Sequence, residues 1–120
     1  MPRPIKRRLV CDLPHYDLYA PVNKENHGDE VVMLIEEFET IRLIDHEGLD
    51  QEGCAERMGV ARSTIQRIYN EARKKVAESL VEGKRLRIEG GNYALCTKGN
   101  GFRWCGECKR QRRGRRLNRD

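Results

Sequence analysis

The 120-residue sequence has no apolar run that approaches the roughly 20 residues needed to cross a bilayer, which excludes a membrane-spanning helix. Met1 is followed by Pro-Arg-Pro rather than by the apolar core of a signal peptide, so a cytoplasmic protein with no membrane partner is expected. Aromatic residues are scarce, at 6%, and hydrophobic residues of all kinds reach only 38%. Such a chain can build one small core, hence one domain with tails. The three histidines, His15, His27 and His46, are scattered, and no serine–histidine–acid set or phosphate-binding glycine loop accompanies them. No enzyme is expected.

Charge is abundant, at 36% of residues with a net value of +5, but it is unevenly placed. Residues 1–8 carry Arg3, Lys6, Arg7 and Arg8, and residues 98–120 carry nine basic groups against two acidic ones, so the stretch between them is net acidic. An acidic folded middle with basic ends suits a nucleic-acid binder; basic ends that only aid solubility are the plainer reading. The expected layout is a basic arm over 1–8, a folded domain over 9–95 and a cysteine-containing basic tail over 96–120.

Residues 49–80 organise the domain. Asp50 can cap a short helix that runs to about Gly59, a residue type that turns the chain sharply. A longer helix follows over about 61–81. Ile65, Ile68, Tyr69, Ala72, Val76 and Leu80 recur on one of its faces, while Arg62, Gln66, Arg67, Asn70, Arg73 and Lys74 fall mostly on others. Cys54, Met58 and Val60 would meet Ile65 and Ile68 across the joint, with small Ala55 where the helices cross. Two helices joined by a tight glycine turn make a helix-turn-helix unit, which lays its second helix in the DNA major groove. A packed helical hairpin without a ligand has the same core pattern.

The flanks complete the expected fold. Pro2 and Pro4 keep the arm extended, and such an arm can track phosphates or enter a minor groove. Leu9-Val10-Cys11 predicts a short strand stopped near Pro14, and 15–29 a loop. Val31-Val32-Met33-Leu34 predicts another strand, followed by a helix from Ile35 or Glu36 to Glu47 that ends at Gly48 and packs behind the two-helix unit. Residues 84–89 alternate polar and apolar, which predicts a half-buried strand paired with 31–34 or 9–11 and stopped by Gly90-Gly91. The fold class is therefore mainly α: a three-helix core with a small flanking β element and basic tails.

Five cysteines in a reducing compartment read as thiols or metal ligands rather than disulfides. Cys105-Gly106-Glu107-Cys108 has the spacing that brings two sulfurs to one ion. Cys96 can supply a third ligand and Cys11 a fourth if the N-terminal strand pairs near the C-terminal one, with His15 as a substitute. A tetrahedral Zn²⁺ on these thiolates would staple the tail to the domain; an iron–sulfur cluster makes the same ligand demand and would make the protein a sensor. Unligated thiols, or a reversible Cys105–Cys108 disulfide, are the third reading. Cys54 is expected in the core as a small hydrophobe. Phe102, Arg103 and Trp104, followed by the basic run 109–116, could stack on unpaired bases and bind the phosphates of RNA.

Several of these segments together resemble a known family. They are Arg3-Pro4, the run 7–11 and Leu13-Pro14; Glu37-Phe38-Glu39-Thr40-Ile41-Arg42-Leu43 with Asp45; and Glu47-Gly48-Leu49. Further along are Ala55-Glu56-Arg57-Met58-Gly59-Val60, Arg62-Ser63-Thr64, Gln66-Arg67-Ile68, the run 72–77, the run 80–84 and the run 86–91. Residues 1–95 are similar to a prokaryotic family of predicted DNA-binding proteins, the domain of unknown function one-three-four. Residues 36–80 also resemble the promoter-reading fourth region of bacterial sigma factors, and that resemblance implies that Arg62, Ser63, Thr64, Gln66 and Arg67 face DNA. Two positions depart from the sigma pattern. Gly53 costs roughly 1 kcal/mol of helix propensity, and Ala61 stands where a serine cap, worth about 1 kcal/mol, is usual.

The expected function is thus sequence-specific binding of double-stranded DNA, as a transcriptional regulator. Arg62 or Arg67 can pair with guanine and Gln66 with adenine, while Ser63 and Thr64 suit phosphates. Arg73, Lys74 and Lys75 lie further along, towards the backbone or solvent, and Arg3, Arg7 and Arg8 belong to the arm. Rival readings are an RNA or ribonucleoprotein module using the tails, a scaffold docking on RNA polymerase or another protein, and a metal- or thiol-redox-responsive interaction protein.

Overall fold

The computed structural model describes residues 7–22 and 29–95. In chain order the elements are strands β1 (Arg8–Val10), β2 (Leu18–Tyr19) and β3 (Glu30–Met33), helix α1 (Ile35–Thr40), a π-helical segment (Ile41–His46), helices α2 (Gln51–Met58) and α3 (Arg62–Glu82), and strands β4 (Arg85–Ile88) and β5 (Tyr93–Leu95). The architecture is mainly α with a small β element, as expected. No helix among the described residues is long and apolar enough to cross a membrane.

Strands β3 and β4 pair in parallel, with Val31 opposite Leu86 and Met33 opposite Ile88. All four of these side chains are buried, and Val32 between Val31 and Met33 is exposed, which is the period-two pattern of a one-sided sheet. Parallel neighbours need a long crossover, and here the crossover is the whole helical unit. Both of its ends are therefore tied to one sheet. Strand β2 joins the other edge of β4 antiparallel, within a stretch that predicts only loop. Strand β1 does not pair with β4 but lies parallel to β5, with Val10 opposite Leu95. Two- and three-residue strands are too short to show periodicity, which is why β2 and β5 leave no local signature.

Two apolar clusters form the core. One gathers Cys11, Leu43, Cys54, Ala55, Met58 and Ile65, with Val60 packed against it, so the expected joint between α2 and α3 is present. The other gathers Val10, Val31, Met33, Ile35, Ala72, Leu86 and Ile88, with Val76 against it. Helix α3 serves both clusters. Its buried stripe ends sooner than its sequence pattern, because Leu80 is 78% exposed; no described element covers the final turn.

The helix expected from 35 to 47 is not uniform. After Thr40 it widens, and the Glu47 N–H donates to the Arg42 carbonyl, five residues back, at 2.8 Å. Helix α1 itself is enclosed, with Glu36, Glu37 and Glu39 all buried. Carboxylates taken out of water need partners, and each has them. Glu36 accepts the Asn92 N–H (3.0 Å), Glu37 accepts the Leu34 N–H (2.9 Å), and Glu39 accepts the Cys11 N–H (3.1 Å). Glu37 also pairs with Lys75 of α3, and Glu39 with Arg42. These acids bind β1, the turn before β5, and α3 to one short helix.

Candidate nucleic-acid interface

Helix α2 starts where predicted. Asp50 caps it, its carboxylate accepting the Gly53 N–H at 2.7 Å. The helix cost of Gly53 has a local reason: a β-carbon there would stand 3.1 Å from that carboxylate oxygen, tighter than ordinary contact. Gly59 ends α2 with φ of +69°, a left-handed conformation that other residues resist. Three residues later α3 begins, and Ala61 occupies the cap position with no side-chain hydrogen bond.

This joint orients α3. Burying Ile65, Ile68, Tyr69 and Ala72 turns the opposite side outward, so that Arg62, Ser63, Gln66, Arg67, Asn70, Arg73 and Lys74 are all exposed. Thr64 is half-buried. From Arg62 to Asn70 the charged residues are Arg62 and Arg67, with no carboxylate among them. Glu71 follows, 3.9 Å from Lys74. Arg62 and Arg67 form no ion pair among the described residues, so their donors point to solvent. The exposed acids Glu52 and Glu56 belong to α2.

Two expectations change in detail. Lys75 does not reach outward: its Nζ lies 2.8 Å from Glu37 Oε1, inside the α1–α3 contact. Arg8 is not part of a free arm, because it opens β1 and is buried, while Arg7 before it is exposed and Arg3 lies outside the described residues. Cys11 is 3% exposed and shares a core cluster with Leu43, Met58 and Ile65. Its expected co-ligands Cys96, Cys105 and Cys108 lie outside the described residues, as does the aromatic and basic tail 102–116. Cys54 is fully buried, as expected, with its thiol 3.8 Å from the Met58 sulfur. Burial, reinforced by the Glu39 charge and only partly offset by Arg42, pushes that thiol's pKa up to about 12.

One arrangement has no counterpart in the sequence pattern. The Tyr69 hydroxyl donates to Asp45 Oδ1 at 2.7 Å, joining α3 to the π-helical segment. Burial, then the hydrogen bond and charge of Asp45, hold the phenol above its ordinary pKa and thus neutral. On the other side the Arg73 guanidinium carbon lies 5.3 Å from the centre of the Tyr69 ring. Tyr69 reads from sequence as a core residue; an arginine four positions after a tyrosine at the edge of the buried stripe is the only local hint.

Residues 1–96 match the family described as "Protein of unknown function DUF134". The chain belongs to this family. Among its relatives is a UPF0251 protein of Desulfitobacterium hafniense, 56% identical over 117 residues, which is 94% of this chain and 90% of that protein. Another, from Caldicellulosiruptor bescii, is 55% identical over 95 residues, covering 79% of this chain and 66% of the relative. A third, from Moorella thermoacetica, is 50% identical over 107 residues, covering 88% and 72%. No solved structure matches the chain.

Proposed function

We propose that this protein binds double-stranded DNA in a sequence-specific way and acts as a transcriptional regulator, reading the major groove with α3. One observation carries the reading. The first turns of α3 present Arg62, Ser63, Gln66, Arg67 and Asn70 to solvent, with arginine the only charged side chain among them. Such a face suits a polyanion, and these side chains suit base edges. Arginine donates a matched pair of hydrogen bonds to guanine O6 and N7, and glutamine can pair with adenine N6 and N7. The tight α2–α3 turn supports the reading too, since a helix-turn-helix unit delivers the start of its second helix to the groove.

The test is selection of bound sequences from random duplex DNA, then titration of the enriched duplex. Wild-type protein should bind it with an affinity that falls steeply with salt, as neutralised phosphates release counterions. Arg67→Ala should lower specific affinity by about 1–3 kcal/mol, with an unchanged circular dichroism spectrum because the side chain is exposed. Equal affinity for enriched and random duplexes would sink the proposal.

A further inference from the structure

We propose that Arg73, laid across the ring of Tyr69 and braced from behind by Asp45, clamps one DNA backbone phosphate beside the groove occupied by Gln66 and Arg67. This rests on the reading of α3 given above and assigns a distinct task to a second part of the helix. Arg73 lies seven residues after Gln66, roughly 10 Å further along the axis. It stands next to the buried stripe, since Tyr69, one turn earlier, is in it. Residues in that position meet the wall of a groove rather than its floor.

Three features make Arg73 more than a solvated charge. Its guanidinium packs on an aromatic face at 5.3 Å, the geometry of a cation–π contact. That ring cannot turn freely, because its hydroxyl is tied to Asp45 at 2.7 Å across two elements. And Arg73 forms no ion pair among the described residues, so all its N–H donors remain for a ligand. A planar cation held in one orientation with its donors open fits a phosphate, which arginine can bind with two parallel hydrogen bonds. The bidentate match favours a phosphodiester over a simple halide counterion.

The test uses the full chain with an enriched duplex and a random duplex of the same length, titrated across a salt series. Arg73→Ala should weaken binding to both duplexes by the same factor, about tenfold. It should also make the slope of log affinity against log salt shallower by about 0.9. Arg73→Lys should restore the slope but not the full affinity, since an ammonium keeps the charge and loses the stack. Tyr69→Leu should weaken binding and Tyr69→Phe should restore most of it, and neither change should matter once Arg73 is alanine. If Tyr69→Leu does not fold, the Arg73 pair and Tyr69→Phe still decide. Wild-type binding that is normal, lost on Arg67→Ala, yet unaltered in slope by Arg73→Ala overturns the clamp alone. Absence of any salt-sensitive duplex binding by the wild-type protein overturns the clamp together with the reading of α3.

Discussion

Lys75 Nζ lies 2.8 Å from Glu37 Oε1, and with that contact a half-buried cation one residue away from the exposed stripe ties α3 to α1. Glu37 has a side chain only 7% exposed, so losing its partner leaves a carboxylate short of a charge in a poorly hydrated place. Lys75→Met should therefore lower stability by about 2 kcal/mol in urea unfolding. The salt dependence of duplex binding should stay as in the wild type, in contrast to Arg73→Ala. A shallower slope would place Lys75 at the DNA after all.

Gly91→Ala should be among the most damaging single-methyl changes in the chain. Gly91 holds φ of +112°, which alone disfavours any other residue. A β-carbon there would also run into the Glu36 carboxylate, which accepts the Asn92 N–H next door. A loss of at least about 2 kcal/mol is expected, read as a lower midpoint in thermal or urea unfolding. A wild-type midpoint would show that this turn is not held against α1.

Cys54 makes the protein sensitive to alkali. In the unfolded chain its thiol ionises near the ordinary value of 9.0, whereas in the fold it holds its proton to about 12. The folded state then binds more protons than the unfolded one above pH 9, so stability falls as pH rises. The contribution is fully present below pH 9 and is lost progressively up to about 12, at up to about 1.4 kcal/mol per pH unit. Cys54→Val should remove this part of the alkaline loss, seen as a flatter plot of unfolding free energy between pH 9 and 11. The native thiol should also resist alkylation at neutral pH until the chain is unfolded.

Ala61→Ser should stabilise the protein by about 1 kcal/mol. Ala61 has the extended backbone of a cap (φ −71°, ψ 153°) and is exposed, and no side chain accepts the free N–H groups at the start of α3. A raised denaturation midpoint with an unchanged denaturant slope is the expected result. No gain would mean that those amides already have their full measure of water.

Much of the helical frame was legible because its signals are local. Asp50 and Gly59 mark helix ends by their own capping and turning chemistry, and each does so in the structure. Ile65, Ile68, Tyr69 and Ala72 are spaced for one face, and that face is buried. The outward placement of Arg62, Gln66 and Arg67 follows from the same periodicity. Leu80 was misleading because spacing reports which face a residue occupies, not whether anything lies opposite.

What remained closed was much of what joins residues far apart in the chain, although the pairing of 84–89 with 31–34 was one of two the sequence offered. Local spacing does not indicate that Glu36, Glu37 and Glu39 are buried, since Asn92, Lys75 and Cys11, which also hold them, come from distant parts of the chain. The pairing of β1 with β5 rather than β4 is likewise a contest between distant segments. Periodicity and caps depend on neighbours a turn away, so they can be read along the chain. Desolvation of a charge, the choice of strand partner and the bracing of Tyr69 by Asp45 depend on which surfaces meet, and only the closed fold decides that.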